Sequence, residues 1–244
     1  MSPIMTKLLF LAAATVLLTP SLLAQSSGGA LSIRVLNSAT RQPVLDPTVT
    51  VNGHVLSAAD VSYNIPAGTQ AIMARAPGYR AVTVSPTDAH NNHDAIELHP
   101  FAVHALYLSE YGISSSIIRN SAFDIIRKGG ANALVVNIKS DHGQLVYPSD
   151  IPLAKQIGAR QITTIHSLPD LVKSAHAQGI YIIARIVTFK DTPLATSKPE
   201  DAIHLANGEL FKDREGLSWT DPFKPEVRAY NIAIAVEAAK AGFD

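Results

Sequence analysis

The 244-residue chain is 47% hydrophobic, 16% charged and 6% aromatic, a globular composition with ample apolar material for a core. Lys plus Arg equals Asp plus Glu at 20 each and no basic cluster stands out, which removes the electrostatic footprint of nucleic-acid binding. Cysteine is absent, so disulfide frameworks, thiol nucleophiles, thiolate metal sites and cysteine lipidation are all excluded.

The chain opens on MSPIMTKLLFLAAATVLLTPSLLAQSSGG, in which Lys7 precedes an apolar run from Leu8 to Leu18, followed by Thr19-Pro20 and the small residue Ala24. This is the order of a secretory signal peptide, too short to span a bilayer comfortably, with cleavage expected near Ala24. The alternative is an uncleaved anchor, because Leu22 is bulky where a small residue is commoner. The expected destination is export, to the periplasm, the cell envelope or the medium, with no membrane span left after cleavage.

Residues 30–98 hold short β-rich runs at 31–36, 48–51, 62–65, 70–76, 80–84 and 95–98, separated by turn chemistry at the spacing of a small all-β sandwich. Asn52-Gly53 supplies the positive-φ pair of a type I′ hairpin, and Pro66-Ala67-Gly68 and Pro77-Gly78 mark two further turns. The stretch YNIPAGTQAIMARAPGYRAVTV, residues 63–84, resembles the carboxypeptidase-regulatory-like and PEGA-type modules of exported bacterial proteins, which implies an accessory spacer or adhesion module. DAHNNHD at 88–94 reads as a polar loop, in which His90 and His93 lack any element to fix their rings, so no metal is expected there.

From residue 101 strands alternate with helices, the pattern of βαβ units and a parallel sheet. The expected strands are 103–108, 133–138 and 180–187; the expected helices are 114–128, 168–178 and 225–241, the last opening on Pro225 and closing before Gly242. Helices should cover both faces of such a sheet, which makes Arg185 in IYIIARIVTFKD anomalous: a guanidinium in that setting needs a partner. Asp141, on the neighbouring strand end, is the nearest carboxylate by register.

Reactive groups in parallel α/β folds lie past the carboxyl ends of the strands. Those ends hold Tyr107, then Lys139 and Asp141, then Arg185, Lys190 and Asp191, and the stretch before the last helix holds Trp219 and Asp221. Strand alternation places Asn137, Lys139 and Asp141 on one side. Asp141, Asp191 and Asp221 are the candidate catalytic acids. Tyr107, Lys139, Arg185, Lys190 and Trp219 are the candidate substrate contacts, and the one tryptophan is the natural surface for a sugar ring. No cofactor is expected.

VHALYLSEYG, ANALVVNIKSDHGQLVYPSDIPLAKQIGA, LVKSAHAQGIYIIARIVTFKDTPLA and GLSWTDPFKPEVRAYNIAIAVEAAKAGFD, in this order, resemble the bacterial "putative glycosyl hydrolase" domain family. The resemblance runs from about residue 103 to 244 and implies a (β/α)8 barrel related to glycoside hydrolases, with a polysaccharide or cell-wall glycan as partner. Such a barrel takes roughly 250 residues, so three complete βα units read as the first part of one, with at least one catalytic carboxylate expected on a strand outside this sequence. The expectation is therefore an exported glycoside hydrolase present as an inactive piece; the alternative is a non-catalytic polysaccharide- or envelope-binding protein.

Overall fold

The computed structural model describes residues 31–58 and 62–244; the expected leader lies outside the described residues. The amino-terminal region builds strands β1 (Leu31–Asn37), β2 (Thr48–Val51), β3 (His54–Leu56), β4 (Ser62–Ile65), β5 (Ile72–Arg75), β6 (Val82–Val84) and β7 (Ala95–Leu98), with helix α1 (Pro86–Asn91) between the last two. One sheet has the order β4-β1-β7, in which β1 runs antiparallel to β4 and parallel to β7. The other is antiparallel with the order β3-β2-β5-β6. Alternating residues of both sheets, among them Ile33, Val35, Val49, Val51, Ile72 and Ile96, share one core. The β2–β3 hairpin turns at Asn52 and Gly53, whose φ values of 50° and 80° are the type I′ pair expected from the dipeptide.

Helix α1 corrects the all-β expectation and the loop reading of 88–94. Ser85 accepts a hydrogen bond from the Asp88 amide at 3.0 Å, Pro86 opens the first turn and Asp88 lies within it. These are start signals for a helix, but six residues are too few to show a 3.6-residue period. His90 sits in its last turn and contacts Asp94 at 2.8 Å. Among the described residues no group of three metal-ligating side chains forms.

The carboxy-terminal region contains β8 (Ala105–Leu108), α2 (Glu110–Ser114), α3 (Ser116–Arg127), β9 (Ala133–Lys139), α4 (Pro152–Gln156), α5 (Leu168–His176), β10 (Tyr181–Ile186), α6 (Thr192–Ser197) and α7 (Pro225–Ala241). The helix expected over 114–128 is α3, capped by Ser115 through the Ile118 amide, and a short helix not expected from the sequence, α2, precedes it, capped by Ser109 through the Gly112 amide. All three strands are parallel, in the order β10-β9-β8. The middle position of β9 follows from its sequence, since ALVVNIK is the most thoroughly buried of the three strands.

Register sorts the strand residues by face. Leu106, Leu134 and Ile182 pair across the sheet, as do Leu108 and Val136, and all join the core that α3, α5 and α7 cover. Complete burial of Leu134, Val136 and Ile182 stabilises the fold by about 1.5–3 kcal/mol each. On α7, Val227, Tyr230, Ile234 and Ala238 face inward at helical spacing while Ile232 and Val236 remain exposed. The opposite face of the sheet, with Tyr107, Val135, Asn137, Ile183 and Arg185, is only partly covered. Arg185 therefore does not lie in a strand buried on both sides; of β10 only Ile182 is buried. At the amino-terminal end of this sheet the Arg80 guanidinium lies 4.0 Å from the Phe101 ring centre, and the Phe101 and Tyr181 rings meet at a tilt of 42° with centres 5.2 Å apart. Among the described residues no helix is long and apolar enough to cross a membrane.

Candidate functional site

The carboxyl ends of β8, β9 and β10 bring polar groups together on the partly open face. Asn137, at the end of β9, is buried and uses both ends of its amide: Nδ2 donates to Glu110 Oε2 at 2.9 Å, and Oδ1 accepts from Arg185 Nη1 at 2.8 Å. Arg185 Nη2 then donates to Asp141 Oδ1 at 3.1 Å, so the partner expected of Arg185 is present. The guanidinium carbon also lies 5.7 Å from the centre of the Tyr107 ring, within cation–π range. Two carboxylates, Glu110 and Asp141, are thus joined through one amide and one guanidinium across three strand ends.

Arg185 and Asp141 retain 39% and 54% of their side-chain exposure, so this end of the chain of contacts is open. Glu110 begins α2, where the helix dipole favours its charge, and it is partly buried. It was legible in the sequence as the first acid after the first strand, but nothing local distinguished it from an ordinary helix-start glutamate.

Lys139 and Asp191 depart from the sequence reading. Lys139 was placed by alternation on the side of Asn137 and Asp141; instead the β9–β10 register slips at Arg185/Ile186, and Lys139 is wholly enclosed. Its Nζ lies 2.7 Å from Asp191 Oδ2, donates to Asn231 Oδ1 at 3.0 Å and the Thr188 carbonyl at 3.2 Å, and sits 5.3 Å from the Tyr230 ring centre. Asp191 is equally enclosed, and its Oδ1 caps α6 through the Leu194 amide at 3.0 Å. Burial pushes the Lys139 pKa down, against the pull of the Asp191 charge. In this arrangement the pair ties β9 to α6 and α7 and presents no surface to a substrate.

A cleft of about 500 Å³ continues from Asp141 and Arg185 to Lys190, Glu215 and Trp219. Residues 202–220, between α6 and α7, form an irregular arm with turns at Asn207-Gly208 and over 213–217, held by isolated bridges that include Lys190 with Trp219. Lys190, a candidate sugar contact, is already engaged by Asp213 at 2.9 Å and by Glu215. Asp221, a candidate acid, caps a turn by accepting from the Phe223 amide at 2.9 Å and does not line the cleft. Tyr107, Asp141, Arg185, Lys190 and Trp219 thus converge on one face, while Lys139, Asp191 and Asp221 serve the scaffold.

A parallel βαβ sheet with carboxylates, a guanidinium and two aromatics at its carboxyl edge is an α/β arrangement, and in such folds ligand sites lie past the carboxyl ends of the strands. The model of the "Putative glycosyl hydrolase domain" family, domain of unknown function 4015, matches residues 105–244, and the chain belongs to that family. A hypothetical protein of known structure from Ruminiclostridium thermocellum ATCC 27405 is 36% identical, with a TM-score of 0.53, over 57% of this chain and 72% of that one. The cycloalternan-degrading enzyme from Trueperella pyogenes is 14% identical, with a TM-score of 0.34, over 63% of this chain and 26% of that one. No curated protein matches the chain.

Proposed function

We propose that this protein is an exported carbohydrate-active protein of the glycoside hydrolase class, whose three parallel strands are the first units of a (β/α)8 barrel. Its open face binds a polysaccharide or cell-wall glycan through Tyr107, Arg185 and Trp219. The observation that supports this best is the chain Glu110–Asn137–Arg185–Asp141 on the carboxyl rim, open at its Arg185–Asp141 end beside a cleft that ends on the one tryptophan. Hydrolysis of a glycoside requires two carboxylates, one to donate a proton and one to act as nucleophile or base, and Asp141 and Glu110 are the pair that Arg185 and Asn137 join at this rim. Export is proposed from the signal-like residues 1–24.

A second reading, binding without hydrolysis, is favoured by the fate of the candidate acids: Asp191 is sealed against Lys139, Asp221 caps a turn, and Asp141 is held by Arg185. Affinity electrophoresis against soluble β-glucan, xylan, α-glucan and galactomannan, run beside a reducing-end assay on the same polymers, separates the two. Retarded migration with sugar release that Asp141→Asn or Glu110→Gln abolishes supports the enzyme. Retardation without release supports the binder, and no retardation by any glycan refutes both. Amino-terminal sequencing of the protein recovered from the producing culture tests export, with a start near Gln25 expected.

A further inference from the structure

Asp213 lies in the arm, away from the strand ends, yet its two carboxylate oxygens do different work. Oδ1 accepts from the Glu215 and Leu217 amides at 2.9 and 3.0 Å, which closes the turn. Oδ2 accepts from the indole Nε1–H of Trp219 at 3.1 Å and lies 2.9 Å from Lys190 Nζ. The Trp219 main chain is already fixed, since its carbonyl accepts from the Ile203 amide at 2.9 Å and its neighbours Ser218 and Thr220 pair with Lys212 and Ala202. What remains free is the tilt of the ring, and a hydrogen bond at the far edge of the indole removes that freedom. The ring so held borders the cleft that runs to Arg185 and Asp141.

We propose that Asp213 is a positioning residue that holds the Trp219 indole as a stacking platform for a pyranose ring in this cleft. The proposal rests on the glycan-binding reading above and adds to it where one sugar sits and what fixes its platform. A ring that stacks on a sugar gains most when its orientation is settled before binding, because no rotamer entropy is then lost in the complex. Lys190 has the matching part: it neutralises Asp213, and the contact holds the Asp213 carboxyl well below the usual carboxylate range. Lys190 thereby acts through the arm rather than on the ligand.

Trp219 is the one tryptophan of the chain, so intrinsic indole fluorescence reports this position alone. Asp213→Asn keeps the Oδ1 that closes the turn and replaces the acceptor facing Trp219 and Lys190 with an amide NH2. The expected result is an unchanged far-UV dichroism spectrum, a shifted indole emission with lower anisotropy, and binding to the retarding polysaccharide weakened on the order of tenfold, the loss of a charged acceptor. Trp219→Phe keeps a stacking surface without the N–H; it should weaken binding by a similar factor, and adding Asp213→Asn to it should cost nothing further. Unchanged emission and binding in Asp213→Asn, or an equal further loss in the Trp219→Phe background, overturns the proposal while leaving the glycan reading intact. If Asp213→Asn fails to fold, Trp219→Phe decides alone: wild-type affinity there overturns the proposal. A wild-type protein retarded by none of the four polysaccharides overturns the glycan reading and the proposal with it.

Discussion

Lys139 and Arg185 leave the ends of adjacent strands, each with an aspartate for a partner, and the two pairs have opposite fates. Lys139–Asp191 is fully enclosed, with Asn231, the Thr188 carbonyl and the Tyr230 ring completing the cation's surroundings. Arg185–Asp141 is about half exposed and shares its guanidinium with Asn137 and Tyr107. The difference teaches how to tell an anchor from a site when both are cation–carboxylate pairs. In the enclosed pair desolvation outweighs the attraction of the partner, as the lowered Lys139 pKa records, so the pair is sensitive to loss of either member. In the open pair water screens the attraction, so the groups contribute little to folding and can exchange partners with a ligand.

The largest effect is expected at the enclosed pair. Asp191→Ala leaves an ammonium buried without its counter-charge and removes the cap of α6, so urea unfolding should show a loss of about 3–5 kcal/mol. Lys139→Met with Asp191→Leu should cost clearly less than Asp191→Ala alone. A double variant as unstable as the single one would break the distinction drawn here. Gly143 sharpens the same point, because a Cβ built on it would meet Asp191 Oδ1 at 2.5 Å and Pro193 Cδ at 2.8 Å, at a φ of +78°. Gly143→Ala should therefore destabilise by about 1–3 kcal/mol.

An intermediate effect is expected where the loop after β9 meets α7. Glu237 accepts from Tyr147 Oη at 2.6 Å, Ser149 Oγ at 2.7 Å and the Asp150 amide at 2.9 Å. Tyr147→Phe should cost about 1.5–3 kcal/mol at neutral pH, the worth of a hydrogen bond to a charged group. Burial, followed by the Glu237 hydrogen bond, raises the Tyr147 pKa above its ordinary 10.0. A raised pKa means that the folded state keeps a proton the unfolded chain gives up, so this stabilisation is complete below pH 10 and falls away as pH rises towards the folded value. Stability measured from pH 9 upward should fall more steeply in the wild type than in Tyr147→Phe; equal slopes would refute the assignment.

The smallest effect on folding is expected at the open pair. Arg185→Met keeps the stem and deletes the charge, and should change unfolding free energy by less than about 1 kcal/mol while abolishing retention by glycan. A loss of stability matching that of Asp191→Ala, with binding intact, would reverse the roles assigned to the two pairs.

Much of this contrast is legible in the sequence. The parallel strands and the partnership of Arg185 with Asp141 follow from apolar runs, turn signals and register, which are local or nearly so. Glu110 was passed over because its role depends on Asn137, 27 residues away in sequence but 2.9 Å distant in space. Helix α1 was missed because a cap and a proline outweighed composition over only six residues.

Chain order and residue type by themselves determined the β-rich amino-terminal region, the βαβ region after it and the set of polar residues at the strand ends, because backbone propensity and hydrophobic period act over a few residues. Only the tertiary structure decided which of those polar residues face the open cleft. Lys139 and Asp141 are two residues apart, yet one is sealed and the other open, because a register slip, the packing of Gly143 on Asp191 and the approach of Asn231 from α7 together enclose the ammonium. Burial depends on what arrives from distant parts of the chain, and no pattern within a strand encodes it.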